Sequence, residues 1–219
     1  MRQIFEAELK ALGEGLENMS TLVQRAITQA GVSLTSTDLA VAEAVIADDM
    51  AIDALENELD ERCVRLLAQQ QPVATDLRVV VTALRISASL ERMGDLARHI
   101  AQVARGRYPR HAVPQHLTET FAEMDAAAVR LAHRISELLV TRDLALAAAI
   151  EADDDLLDSL HEDTFTALLG GSWAGTAQET IDVTLLGRYY ERFGDHGVSV
   201  ARRIAYLVTG EAAESVVAH

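Results

Sequence analysis

The chain has 219 residues and a formal net charge of −15, from 34 acidic and 19 basic side chains. Such a charge repels nucleic-acid phosphates and argues against a DNA- or RNA-binding protein. A single cysteine, Cys63, excludes an intramolecular disulfide framework. The sequence shows no apolar run long enough to span a bilayer and no signal peptide. We therefore expect a cytoplasmic protein without membrane insertion.

Turn-forming residues divide the chain into six predicted helices. Breaks are indicated by Pro72, by Pro109 and Pro114, and by the polar or glycine-rich clusters at 33–38 and 170–176. No segment shows the alternating pattern of a β-strand. The helices are predicted at approximately 3–32, 37–69, 75–106, 117–140, 143–169 and 176–209.

The two halves of the chain carry the same sequence pattern. Residues 38–49, DLAVAEAVIADD, match residues 143–154, DLALAAAIEADD, and the motif Glu-Arg-x-Gly-Asp occurs at 91–95 and again at 191–195. The second copy is shorter only in the predicted turn around 170–176, where deletions are tolerated. The sequence therefore predicts an all-α protein of two tandem, pseudo-symmetric three-helix bundles that arose by internal duplication.

The duplication also defines the expected domain boundaries. The first three-helix repeat is predicted at 1–106, followed by a linker at 107–116. The second repeat, with a short C-terminal tail, is predicted at 117–219.

Each repeat places pairs of carboxylates on two adjacent helices. Residues four apart on a helix share a face, so each Glu-Arg-x-Gly-Asp motif presents its two acids together. If the second and third helices of a repeat form an antiparallel hairpin, a pair on the second helix faces this motif. The predicted clusters comprise Asp49, Asp53, Glu91 and Asp95 in the first repeat and Asp154, Asp158, Glu191 and Asp195 in the second.

Clustered carboxylates repel one another or bind a cation, and oxygen ligands suit Mg²⁺, Ca²⁺, Mn²⁺ or iron. Gly94 and Gly194 each disfavour the helix by about 0.8–1.0 kcal/mol relative to Ala, which indicates that another group approaches closely there. Arg92 and Arg192 are candidate donors that orient the carboxylates. The same pattern also fits two acidic faces that are simply solvated.

The sequence offers little support for catalysis. His99, His161 and His196 lie near the acidic clusters, but no histidine is matched between the repeats. Glu-x-x-His motifs, glycine-rich phosphate loops and Cys-x-x-Cys pairs are all missing from the sequence. We therefore expect a protein that is not an enzyme.

The duplicated motif, the segment QQPVATDLR at 70–78 and the acidic pairs that begin at Asp49 and Asp154 resemble the PhoU family. These are accessory and regulatory proteins of the phosphate-specific transport system. The resemblance implies a cytoplasmic protein, often a homodimer, that negatively modulates the phosphate ABC transporter and the phosphate-starvation two-component pathway. Its implied partners are the ATPase subunit of the transporter and a sensor histidine kinase.

The resemblance also implies a cofactor. Divalent or multinuclear metal, such as iron, Mg²⁺, Mn²⁺ or Zn²⁺, would bind to the eight carboxylates through E(D)xxxD motifs. The sequence departs from strict symmetry directly after the motif, where GDLARH at 94–99 corresponds to GDHGVS at 194–199. The two sites are therefore expected to differ. Two alternatives stay open, namely a metal-dependent hydrolase or oxidase at the clusters and a helical scaffold without metal.

Overall fold

The structure is a computed structural model that describes the backbone of residues 2–210 and the side chains of residues 5–210. Over these residues it contains helices and no strand, which confirms the all-α prediction. No helix in this part of the chain is both long enough and apolar enough to cross a bilayer. The helices are α1 (Arg2–Ser36), α2 (Leu39–Gln70), α3 (Ala74–Arg107), α4 (Thr118–Thr141), α5 (Leu144–Leu169) and α6 (Ala177–Thr209), with one 3₁₀ turn at Gln115–Leu117.

Local capping explains where several helices begin. Asp38 accepts hydrogen bonds from the backbone N–H groups of Ala40 and Val41 at the start of α2. α6 begins with a capping box in which the side chains of Thr176 and Glu179 each bond the other residue's backbone N–H. Such caps each contribute about 0.5–2 kcal/mol and satisfy N–H groups that have no partner within the helix.

The two repeats pack together through α3 against α6 and α1 against α4. Each repeat contributes to one continuous hydrophobic core. In α3 and α6, which carry the Glu-Arg-x-Gly-Asp motif, an apolar stripe with seven-residue spacing faces this core. All six of its members are fully buried: Ile86, Met93, Ile100, Leu186, Phe193 and Val200.

Helices α3 and α6 run antiparallel. The ring of His99 lies 5.2 Å from that of Tyr189 between centroids, whereas near the other end of the pair the Arg78 guanidinium lies 5.8 Å from the centroid of Tyr206. Residue numbers therefore rise along α3 in the direction in which they fall along α6. This arrangement brings the two copies of the duplicated motif onto the interface between the repeats.

A buried acid also holds the repeats together. Asp182, near the start of α6, is almost fully buried, and Arg107 at the end of α3 reaches it across the interface. Arg107 Nη2 donates to Asp182 Oδ1 at 2.9 Å and Arg107 Nε donates to Oδ2. This bidentate ion pair joins the end of α3 in the first repeat to the start of α6 in the second.

A half-buried acid, Asp125, lies between α4 and α6. The hydroxyl of Tyr190, which is fully buried, donates to Asp125 Oδ1 at 3.3 Å. Burial raises the pKa of Asp125 to about 6, although the Tyr190 hydrogen bond opposes the shift. The ionised carboxylate is therefore an unfavourable group in the folded protein above that pH.

We expect Asp125→Asn to stabilise the protein in a pH-dependent way. Because the pKa of Asp125 is higher in the folded chain than its ordinary 3.8, the folded state holds its proton longer, and stability falls as pH rises through about 6. The amide keeps an acceptor for Tyr190 and carries no charge. The free energy of unfolding should rise by about 1–3 kcal/mol at pH 8 and be unchanged near pH 4.

Chemical denaturation at both pH values measures this effect. The matched control is Glu123→Gln on the exposed side of the same helix, which should change stability by less than about 0.5 kcal/mol. Equal effects of Asp125→Asn at both pH values would show that ionisation of Asp125 is not involved.

Candidate metal centres

In the first repeat, α2 and α3 bring the predicted acids close enough for their charges to interact. Burial, opposed by Arg98 and assisted by Asp53 and Asp95, raises the pKa of Asp49 to about 6. The pKa of Glu91 is likewise raised, first by burial and then by Asp95, with a smaller contribution from Asp53. The four acids of the first predicted cluster thus form one electrostatic group.

Gly94 explains how the two helices approach so closely at this point. A Cβ atom at position 94 would lie 2.8 Å from Ile52 Cδ1 and 3.3 Å from Asp49 Oδ1. A side chain there would push α2 away from α3. The cost of glycine in the helix is therefore offset by the contact that it permits.

Arg98 occupies the centre of the first cluster. Its Nε lies 3.1 Å from Asp49 Oδ2, which is a charge contact without hydrogen-bond alignment. Its Nη2 donates to Asp95 Oδ1. Arg92, on the exposed side, donates from Nη1 to Asp95 Oδ2 at 3.0 Å and lies 3.3 Å from Glu91. The first repeat thus supplies its own cation to its buried carboxylates.

The second repeat gathers the corresponding acids between α5 and α6, but no described arginine forms an ion pair with Asp154, Asp158 or Asp195, and only Glu191 has one, with Arg188. Burial and the neighbouring acids, first Asp158 and then Asp195, raise the pKa of Asp154 to about 7. The residue that corresponds to Arg98 is Val198. Nothing in the described part of the chain hydrogen-bonds Asp154 Oδ1 or Glu191 Oε2, although both atoms are buried.

Gly194 serves the same purpose here as Gly94 does in the first repeat. A Cβ atom at position 194 would lie 2.2 Å from Asp154 Oδ1 and 3.1 Å from Leu157 Cδ1. The carboxylate of Asp154 therefore sits against the α6 backbone in space that only glycine leaves open.

The expected symmetry of the motif arginines is only half correct. Arg92 contacts the carboxylates as expected, but Arg192 is exposed and forms no ion pair with a described residue. Arg188, one turn earlier, donates instead to Glu191 Oε1. Arg98 was not identified from the sequence, yet it follows Asp95 by three residues and so shares its helix face.

The three histidines near the acidic clusters do not act as cations there. The His161 ring packs on Phe165 at 4.7 Å between centroids, and the His99 ring packs on Tyr189. Burial lowers the pKa of His99, His161 and His196, which favours their neutral forms. None of the three therefore supplies a positive charge to the acidic clusters at neutral pH.

The two clusters differ in how well they fit a bound cation. Across the residues that the structure describes, no three His, Cys, Asp or Glu side chains are already grouped to hold a metal ion. In the second repeat, two buried carboxylate oxygens without a partner and a valine in place of the arginine fit an external cation. In the first repeat, Arg98 already contacts Asp49 and Asp95, so those carboxylates do not fit one.

Comparisons of the sequence with known proteins find the same family over both repeats. The sequence profile of the PhoU domain matches residues 16–104 and again residues 121–204. The chain is 42% identical over 210 residues to the phosphate-specific transport system accessory protein PhoU homolog 2 of Mycobacterium tuberculosis, covering 96% of this chain and 99% of that protein. It is 41% identical to PhoU homolog 1 of Mycobacterium leprae, covering 96% and 95%.

The fold has a solved counterpart as well. The crystal structure of PhoU from Pseudomonas aeruginosa aligns with a TM-score of 0.83 and 27% identity, covering 94% of this chain and all of that one. Two copies of the family domain and relatives similar over nearly the full length show that this chain belongs to the PhoU family.

Proposed function

We propose that the chain is an accessory protein of phosphate-specific transport that acts by regulation and not by catalysis. The observation that carries this proposal is its similarity, over nearly the whole length, to relatives named for that accessory role. The duplicated helical architecture provides long surfaces for protein partners. Regulation of this kind requires only that the chain bind one conformation of a partner better than another.

The more specific role follows from the same family resemblance. We place the chain in the cytoplasm, as a homodimer that contacts the ATPase subunit of a phosphate ABC transporter and a sensor histidine kinase. In this role it reduces transport and phosphate-starvation signalling when phosphate is plentiful.

We further propose that the second repeat binds a divalent metal ion. Asp154 and Glu191 would supply the buried oxygens, and the more exposed Asp158 and Asp195 would rotate inward to complete the ligand set. A bound ion would supply the positive charge that Arg98 supplies in the first repeat. Two observations support this proposal. Asp154 Oδ1 and Glu191 Oε2 have no hydrogen-bond partner among the described residues, and Val198 stands where the first repeat has Arg98.

In the first repeat, the cluster of Asp49, Asp53, Glu91 and Asp95 is proposed to act without metal while Arg98 is in place. A metal ion there would have to displace the guanidinium from two carboxylates. Because both the ion pair and its replacement neutralise the same charges, the first repeat gains little from metal.

The regulatory role predicts a defined phenotype. In the organism that encodes the chain, deletion of its gene should raise expression of a phosphate-starvation reporter in phosphate-rich medium. A plasmid copy should restore repression, because the chain is the negative element. Reporter fluorescence in rich and starved cultures measures the effect, with the empty plasmid as control. Unchanged expression in the deletion strain would contradict the regulatory proposal.

The metal proposal predicts a difference between matched variants. Protein purified without a metal-affinity tag and equilibrated with Mn²⁺ should hold about one ion per chain in the second repeat. Asp154→Asn with Glu191→Gln removes the buried charges and should abolish that ion. Asp49→Asn with Glu91→Gln makes the same change in the first repeat and should retain it.

Inductively coupled plasma mass spectrometry after gel filtration gives both stoichiometries. Wild-type protein that retains no metal would favour the scaffold alternative, with the second cluster a solvated surface. Equal loss of metal in the two double variants would show that both repeats bind metal.

Removing the internal cation should convert the first repeat into a metal-dependent site. Arg98→Val leaves Asp49 and Asp95 without a positive partner, and we expect metal-free protein to lose about 2–3 kcal/mol of stability. Added Mn²⁺ should recover much of that loss, because ligand that binds only the folded state stabilises it.

Thermal and chemical denaturation with EDTA or Mn²⁺ test this expectation. The matched control is Arg92→Val, since Arg92 also contacts Asp95 but is 62% exposed. It should cost less than about 1 kcal/mol. An Arg98→Val protein that is as stable as wild type in EDTA would contradict the internal-cation account.

A further inference from the structure

A cleft between α3 and α6 concentrates arginines in this strongly acidic protein. The cleft has a volume of about 740 Å³ and is lined by Arg78 and Arg85 from α3 and by Arg202 and Arg203 from α6. An adjoining hollow is lined by Arg85, Arg203 and Arg92, with Glu56 and Glu91 also in its wall. Five of the 19 basic side chains of a chain with net charge −15 thus meet along one groove.

The helical register places these side chains on facing surfaces. Arg78, Arg85 and Arg92 are seven residues apart, which puts them on one face of α3 with about 10 Å between successive positions. Arg203 lies near Arg85, since both side chains line the cleft and also the adjoining hollow. Two neighbouring arginine side chains from different helices can therefore contact the same ligand in the cleft.

The pair at the centre of the groove, Arg85 and Arg203, has no counterion among the described residues. Arg202 is paired with Glu151 at 3.2 Å, and Arg78 donates to Thr75 and lies over Tyr206. By contrast, Arg85 and Arg203 form no ion pair with any side chain that the structure describes, and the buried Nε of Arg203 has no hydrogen-bond partner there. Two adjacent positive charges without a partner favour the binding of an anion.

We propose that Arg85 and Arg203 bind a phosphate group in the cleft between α3 and α6. A phosphate group carries about −1.5 to −2 charges at neutral pH and accepts bidentate hydrogen bonds from guanidinium, so one group neutralises both arginines. A single carboxylate would neutralise only one of them. The hydroxyls of Thr82 and Ser199 also line the cleft and can donate to phosphate oxygens.

The cleft is much larger than one phosphate ion and has apolar lining from Leu77, Val81 and Tyr206. The phosphate group is therefore either free inorganic phosphate or part of a small organic molecule whose remainder contacts these side chains. The site does not depend on the metal proposed above. Asp195, which belongs to the second acidic cluster and lines the same cleft, lies eight residues from Arg203, or about 12 Å along α6.

Isothermal titration calorimetry on EDTA-treated protein at low ionic strength tests the proposal, with orthophosphate and ATP as separate probes. Wild-type protein should bind at least one of them saturably. Arg85→Gln with Arg203→Gln should weaken that binding about tenfold or more, because two charge-assisted hydrogen-bond donors are lost. The control Arg105→Gln removes an exposed arginine outside the cleft and should leave the affinity unchanged.

The outcomes separate the two sources of phosphate. Binding of orthophosphate indicates the free ion, whereas binding of ATP alone indicates a phosphorylated small molecule. The proposal is overturned if neither probe binds, or if the double variant binds as wild type does. Binding that appears only after Mn²⁺ is added also overturns it, because the anion would then be held by metal. The circular dichroism spectrum of the double variant should match that of the wild type, since removing the two arginine charges relieves repulsion between them.

Discussion

Buried negative charge between adjacent helices must be balanced, and the way each repeat balances it governs the rest of this structure. The approach of α2 to α3, and of α5 to α6, depends on a glycine that lets a carboxylate lie against the neighbouring helix. Isolated carboxylates in such surroundings are costly unless a cation or a proton neutralises them. The first repeat contains Arg98 for this purpose. The second has Val198 at that position, and Asp154 Oδ1 and Glu191 Oε2 have no hydrogen-bond partner in the described part of the chain.

This difference gives the two halves of a duplicated protein separate properties. The first repeat is complete in itself, and its ion pairs stabilise the α2–α3 hairpin. In the second repeat Arg188 pairs with Glu191, and under the metal proposal the remaining positive charge comes from a bound ion. Asp154 and Asp195 also line the arginine cleft, so a cation bound there and a phosphate group bound at Arg85 and Arg203 would attract each other. Each ligand would then increase the affinity for the other by the same factor.

Much of this arrangement follows from sequence pattern. Turn residues and apolar periodicity are local signals, and they located all six helices. The repeat alignment placed the acids on facing surfaces because four-residue spacing fixes their direction on a helix. The sequence also indicated, from GDLARH and GDHGVS, that the sites differ.

The cause of the difference depends on three-dimensional contacts. Sequence symmetry favours the matched Arg92 and Arg192 as partners of the carboxylates, whereas the arginine that contacts both Asp49 and Asp95 is the unmatched Arg98. The arginine cleft was not foreseen. Arg85 and Arg203 lie 118 positions apart, and only the antiparallel packing of α3 on α6 brings them together. Periodicity within one helix carries no information on which face of another helix it meets.

The proposed difference between the two repeats can be tested by X-ray diffraction from crystals equilibrated with Mn²⁺, with data collected where manganese scatters anomalously. It predicts an anomalous peak beside Asp154 and Glu191 in the second repeat and none between Asp49 and Asp95, where the Arg98 guanidinium should remain. Peaks of equal height in both repeats, with Arg98 turned away from its carboxylates, would contradict it.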